Sequence, residues 1–257
     1  MNIPPNWKVI KKAKSPYDSI QATCIAPNGK TQYIYHPLWV MLREVIKFKK
    51  LIGLTKALKK YRPENTEMGQ ILWLMFQTCI RTGNTLSGRE HLGLVALKQK
   101  NLIVDPAGVF LEFVGKAGVY HKIRIVDRRS IKFLRKKKLT GMRSRNKRLF
   151  CVTDSNLNVY LKEQWGSDYT CKDIRTYQAN IRLIETLMTR SEKTPRQHFE
   201  SAVDQSAVLL GHTKSISKKN YLCSAIHEMY IQDPTVFYRA RKSSSLLLQC
   251  LKHYFKT

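Results

Sequence analysis

The sequence predicts an α+β chain: a small β-rich amino-terminal domain over residues 1–37, then a mainly α-helical domain over 38–257 that carries a three-stranded antiparallel sheet. Three observations predict it. Two β-prone runs flank an Asn28-Gly29 turn, apolar residues then switch to helical spacing, and a period of two returns once more between residues 94 and 126.

Residues 18–26 and 31–36 form the first pair of runs, joined by Pro27-Asn28-Gly29-Lys30. Asn-Gly supplies the positive φ that a tight hairpin needs. From Leu38 to Tyr61 the pattern is helical with lysines on the polar face, and Pro63 punctuates it. Asn65 or Thr66 then caps a helix through Ile71, Leu72, Leu74, Met75 and Cys79, ending near Gly83 with Arg81 in its last turn. Residues 94–98, 109–114 and 120–126 read as three strands of a meander, separated by 105–108 and 115–118. A basic stretch comes next over 135–148, as a solvated face or a track for a polyanion. The remainder is helical: 174–187, then 199–210 ending at Gly211, then a helix from Ser215 or Ser217.

Charge narrows the function. Lys and Arg number 46 against 18 Asp and Glu, a net +28 in 257 residues. A folded chain tolerates that self-repulsion most easily beside a polyanion, and nucleic acid leads because phosphate neutralisation releases counterions. An anionic membrane surface is the bland alternative. No apolar run reaches the roughly 18–20 residues of a membrane span, and the first residues lack a signal-peptide core. The six cysteines are scattered without zinc spacing and read as reduced thiols, so an intracellular, metal-free protein is expected.

Four segments carry candidate chemistry: Arg81-Thr82-Gly83-Asn84, Gly115-Lys116-Ala117-Gly118 in a hairpin turn, Lys172-Asp173-Ile174-Arg175 at a helix start, and Gly211-His212-Thr213 with Tyr221 downstream. Each alone has an ordinary explanation. Arg81 could complement a helix dipole, Lys116 be a solvated turn lysine, Arg175 a phosphate clamp, His212 a structural histidine and Tyr221 a packing residue. Their combination suits attack on a phosphodiester. A tyrosine hydroxyl, with an ordinary pKa near 10, needs cations to stabilise its anion. Arginine forks can hold the non-bridging oxygens as they gain charge, and a lysine on a turn can protonate the departing 5′-oxygen. Such a set does what a metal does elsewhere, so no cofactor is expected.

These motifs resemble those of type IB DNA topoisomerases of the short poxvirus and bacterial kind. The likeness rests on Ile80-Arg81-Thr82-Gly83-Asn84 with residues 93–98, on Phe113-Val114-Gly115-Lys116, on Lys172-Asp173-Ile174-Arg175-Thr176-Tyr177 and on residues 211–221. Near the start it rests on Ile3-Pro4-Pro5-Asn6-Trp7, Gln21-Ala22-Thr23 and residues 29–36. The resemblance implies the catalytic core shared by tyrosine recombinases and topoisomerases IB. It implies Tyr221 as nucleophile in a 3′-phosphotyrosyl link, Arg81, Arg175 and His212 on the scissile phosphate, and Lys116 as general acid. Lys172 would support the site, and Gln32, Tyr33 and Tyr35 would touch DNA from a shortened amino-terminal clamp domain. Double-stranded DNA is the implied partner, with no obligate protein partner and a monomeric chain. The lysine-rich composition leans viral, which would place the protein in a virion or at viral DNA; otherwise it would be in a bacterial cytoplasm. The segment 84–88 departs from the more basic or aromatic stretch of relatives. A tyrosine recombinase shares the Arg, Lys, Arg, His, Tyr order but carries His where this chain has Lys172. A non-catalytic DNA-binding protein is supported by charge alone.

Overall fold

A computed structural model describes residues 3–83, 92–141, 144–166 and 169–255. The segment 84–91, including the departure at 84–88, lies outside the described residues, as does Arg143 of the basic stretch. The chain divides into two compact units, Met1–Lys49 and Lys50–Thr257.

In the first unit, strands β1 (Lys8–Lys12), β2 (Ile20–Ile25) and β3 (Thr31–Tyr35) form an antiparallel sheet in the order β1-β2-β3. The expected hairpin is β2–β3. Its turn closes through Gly29 N–H to Ala26 O at 2.9 Å, with Gly29 at φ 73°. Strand β1 had no sequence signal, because Lys8, Lys11 and Lys12 dilute its two apolar residues. All five of its residues are exposed, and lysine on an edge strand discourages pairing with another chain. Ala22 and Cys24 are buried on the inner face of β2. Helix α1 (Pro37–Lys60) begins in this unit and runs across the division into the next.

The second unit is a helical body with one small sheet. Helix α2 (Glu67–Thr78) starts at the expected cap, where the Thr66 hydroxyl accepts from Gly69 N–H at 3.1 Å. It stops earlier than the sequence predicts. Cys79 takes the left-handed conformation at φ 55° and ends the helix before Arg81, so Arg81 sits in the extended segment beyond it rather than in a last helical turn. The predicted first strand is displaced as well. Leu94–Ala96 is a short 3-10 turn, and the strands are β4 (Leu102–Asp105), β5 (Gly108–Val114) and β6 (Tyr120–Ile125) in an antiparallel meander. Leu94, Val95 and Leu97 are all fully buried, and their backbone partners lie in loops: Leu94 N–H reaches Arg81 O at 2.7 Å and Val95 N–H reaches Thr82 O at 2.9 Å. A buried apolar run does not distinguish a strand from such a turn by its spacing.

Then come α3 (Arg128–Gly141), α4 (Asp154–Trp165), α5 (Cys171–Leu187), α6 (Pro195–Leu210), α7 (Lys214–Asn220), α8 (Ser224–Gln232), α9 (Thr235–Arg239) and α10 (Ser243–Tyr254). Helix α5 is the central element, with twelve buried residues from Cys171 to Leu187. Only Lys172, Arg182 and Glu185 of it are exposed, so neighbours must hold most of its circumference. Here α2, α4, α6, α9 and α10 all pack on it. Away from the sheet, buried His198 shares a 2.6 Å hydrogen bond with the Tyr230 hydroxyl, which lies 3.0 Å from that of Tyr238. Among the described residues no helix is long and apolar enough to cross a membrane.

Candidate active site

Helix α5 fixes the floor of the site. Arg175 lies one turn into it and is 4% exposed. Its Nε donates to Cys79 O at 2.8 Å and one terminal nitrogen donates to Leu210 O at 2.7 Å. The first of these bonds explains why Cys79 tolerates φ 55°. A side chain in the left-handed region costs on the order of 1–2 kcal/mol, and the turn aims the Cys79 carbonyl at a buried cation. Burial and the nearby Arg81 push the Arg175 pKa down from a value so high that the group stays charged.

Tyr221 comes directly after α7, whose start is capped by the Thr213 hydroxyl at Ile216 N–H. The tyrosine is 5% exposed. Its N–H donates to Ser217 O, and its carbonyl accepts from the Asn180 amide at 2.8 Å. The Asn180 oxygen accepts in turn from Cys223 N–H at 2.9 Å. One wholly buried amide therefore straps the Tyr221 carbonyl and the Cys223 N–H, two residues on, to α5. The Arg175 guanidinium carbon lies 5.7 Å from the Tyr221 ring centre, and the Lys172 ammonium 6.0 Å.

The remaining residues stand around the mouth. Gly211 ends α6 at φ 62° and turns the chain so that His212 faces Tyr221, with ring centres 5.2 Å apart. An Arg81 terminal nitrogen lies 2.7 Å from His212 Nε2. Arginine only donates, so Nε2 accepts and the neutral ring carries its proton on Nδ1. Burial first, then Arg81, Arg175 and Lys116, push the His212 pKa down to about 4. Lys116 is exposed at the tip of the β5–β6 hairpin. With Arg81, Lys172, Arg175 and Tyr221 it lines one cleft of about 540 Å³.

The six residues expected at the phosphate thus come together from five separate segments. Gln32, Tyr33 and Tyr35 lie on β3 of the first unit. Tyr33 and Tyr35 share a face with ring centres 6.3 Å apart, and Arg43 lies over the Tyr35 ring at 5.0 Å. Gln32 pairs with Cys24 and stands on the opposite face. Sequence reasoning missed Asn180, whose only signal was a polar residue on the apolar face of α5. It also missed His121 on β6, which stacks on Phe113 with ring centres 4.9 Å apart. Among the described residues no group of three or more His, Cys, Asp or Glu is placed to hold a metal ion.

Residues 43–234 match the family described as eukaryotic DNA topoisomerase I, catalytic core. That span contains all six residues expected at the phosphate and excludes those on β3. The chain is 28% identical to DNA topoisomerase 1B of Acanthamoeba polyphaga mimivirus, over all of this chain and 86% of the relative. It is 25% identical to DNA topoisomerase 1B of vaccinia virus strain Copenhagen and 24% identical to DNA topoisomerase I of monkeypox virus. Each of those matches covers 78% of this chain and 69% of the relative. The chain belongs to the DNA topoisomerase I family, sharing its catalytic core. Within that family it is a type IB enzyme of the short viral kind, and neither recombination nor non-catalytic DNA binding is favoured.

Proposed function

We propose that Tyr221 is the nucleophile through which this type IB topoisomerase relaxes supercoiled duplex DNA. The Tyr221 oxygen attacks a backbone phosphorus and loses its proton to solvent water. A 3′-phosphotyrosyl bond forms, the bond from phosphorus to the 5′-oxygen breaks, and Lys116 protonates that departing oxygen. Reversal of the step rejoins the strand after the free end has swivelled. Arg81, Arg175 and His212 hold the non-bridging oxygens, and Lys172 adds positive potential beside the phenol ring. Arg175 spends two of its five N–H donors on carbonyls, which leaves both on Nη1 and one on Nη2 for the phosphate.

The observation that carries this reading is the cleft itself, where Arg81, Lys116, Lys172 and Arg175 line the same space as Tyr221. Four cations lining that space would stabilise a pentacoordinate phosphate without ATP or a divalent ion. The amino-terminal region, 1–37, acts as a DNA clamp, with Gln32, Tyr33 and Tyr35 as contacts. One chain suffices, since every proposed catalytic group comes from it. The enzyme works wherever the viral DNA is held, in the infected cell or the virion.

Plasmid relaxation in EDTA without ATP is the test. The wild-type protein should relax both positive and negative supercoils, and Tyr221→Phe should bind DNA without forming a covalent adduct. An adduct persisting in that variant would move the nucleophile elsewhere.

A further inference from the structure

His121 has no part in the proposed chemistry, yet its ring touches two segments that do. On β6 it pairs with Phe113 across the hairpin, and the two rings stack at 21° between planes. The free edge of the imidazole is wedged between two glycines. A Cβ on Gly115 would lie 2.7 Å from Nε2 and 2.8 Å from Cδ2; a Cβ on Gly211 would lie 2.7 Å from Cε1 and 3.1 Å from Nε2. Any side chain at either position would meet the ring below van der Waals distance.

The two glycines matter because each immediately precedes a residue of the phosphate site. Gly115 leads into Lys116, and Gly211 leads into His212. The hairpin tip is closed by Gly115 N–H to Val119 O at 2.7 Å, while Lys116, Ala117 and Gly118 are exposed beyond it. Backbone bonds within a hairpin fix its shape but not its lean towards a neighbouring element. Here the ring fills the gap to the Gly211 turn, with Val119 at its edge. Burial, with Arg175 and Arg81 nearby, keeps the imidazole neutral, so it packs as an aromatic plate rather than as a further repelling cation.

We infer that His121 is a positioning residue for the proton-transfer step, a spacer that holds the Lys116 turn at a fixed distance from the Gly211–His212 turn. The inference rests on Lys116 being the general acid. Removing the ring leaves Lys116 chemically intact but lets its hairpin drift. Displacement of a reacting group by about 1 Å can cost on the order of 10²-fold in rate.

Single-turnover cleavage of two matched duplexes, one with a 5′-oxygen and one with a 5′-sulfur leaving group, separates the outcomes. Sulfur departs without needing a proton. His121→Ala should bind DNA like the parent and cleave the oxygen substrate on the order of 10²-fold more slowly, while cleaving the sulfur substrate at nearly the parental rate. Lys116→Ala, run beside it, must show the same relief; without it the general-acid reading itself falls. If Lys116→Ala is relieved but His121→Ala loses equally on both substrates, or loses nothing, the positioning role is overturned. Should His121→Ala not fold, Gly115→Ala answers the same question. Its φ of −94° suits any residue, so the added methyl acts through the imidazole it meets. It too should give a loss relieved by sulfur, and an unchanged rate would overturn the inference.

Discussion

Beneath Tyr221 the polar groups are tied to backbone: Arg175 to the carbonyls of Cys79 and Leu210, and Asn180 to Tyr221 and Cys223. Around the mouth of the same cleft, Lys116 and Lys172 are exposed, and Arg81 meets the His212 ring. The floor is finished before DNA arrives, whereas the rim awaits a phosphate to satisfy it. A floor of this kind costs stability when cut, because each lost partner leaves a buried group unsatisfied. A rim costs rate and little else.

Asn180→Ala is the severest test of that contrast. Cys223 N–H and Tyr221 O both lose their side-chain partner in a site with no exposure. Destabilisation of about 2–4 kcal/mol is expected. In a unit of this size that lowers Tm by roughly 5–10 °C by calorimetry or circular dichroism. Asn180→Asp, which sets a buried carboxylate oxygen against the Tyr221 carbonyl where the N–H donor stood, should destabilise at least as much. A parental Tm for Asn180→Ala would mean that the strap is ornamental and the floor is held by packing alone.

Lys116→Ala should invert the pattern. The side chain is exposed and buries nothing, so Tm should stay within about 1 °C of the parent, in line with surface substitutions within about ±0.5 kcal/mol. Cleavage of the oxygen substrate should nevertheless fall by about 10²–10⁴-fold, the usual span for loss of a general acid. A Tm drop matching that of Asn180→Ala would erase the distinction between floor and rim.

The rim was the legible part. Arg, Lys, Arg, His and Tyr announce phosphate chemistry by residue type and order, and type and order are what a sequence displays. Of the floor, Arg175 was legible in that same order, but Asn180 was not, because an amide means nothing until the backbone groups it meets are known, and the Tyr221 carbonyl lies 41 residues away. His121 was hidden for the same reason, since its role is defined by two glycines that leave it room. Among the elements, strong local signals survived. Asn28-Gly29 made its hairpin, and Thr66 capped α2. The run 94–98 misled because a short, largely buried apolar run reads alike in a strand and in a 3-10 turn, and Cys79 misled because its left-handed turn is sustained by Arg175 from a distant helix. Local propensity yields where a remote partner supplies the compensating bond.

The smallest expected effect sharpens the same contrast at one rim residue. In the free protein the His212 pKa is lowered to about 4, so the folded state refuses a proton that the unfolded chain accepts near 6.5. Between those values the unfolded state binds more protons, and stability must fall as pH drops from about 6.5 towards 4. His212→Asn should flatten that part of the stability profile, measured by denaturant titration across the window. DNA should then reverse the cause. A phosphate between Arg81 and His212 offers Arg81 a better acceptor than Nε2 and sets a negative charge beside the ring, so the pKa must rise on binding. Tracking the ring protons of His212 by NMR, free and with a duplex bound to the Tyr221→Phe protein, would read both values directly. A rim completed by DNA requires the bound value to be higher; equal values would mean that the phosphate does not reach His212, and that its place beside Arg81 belongs to the floor after all.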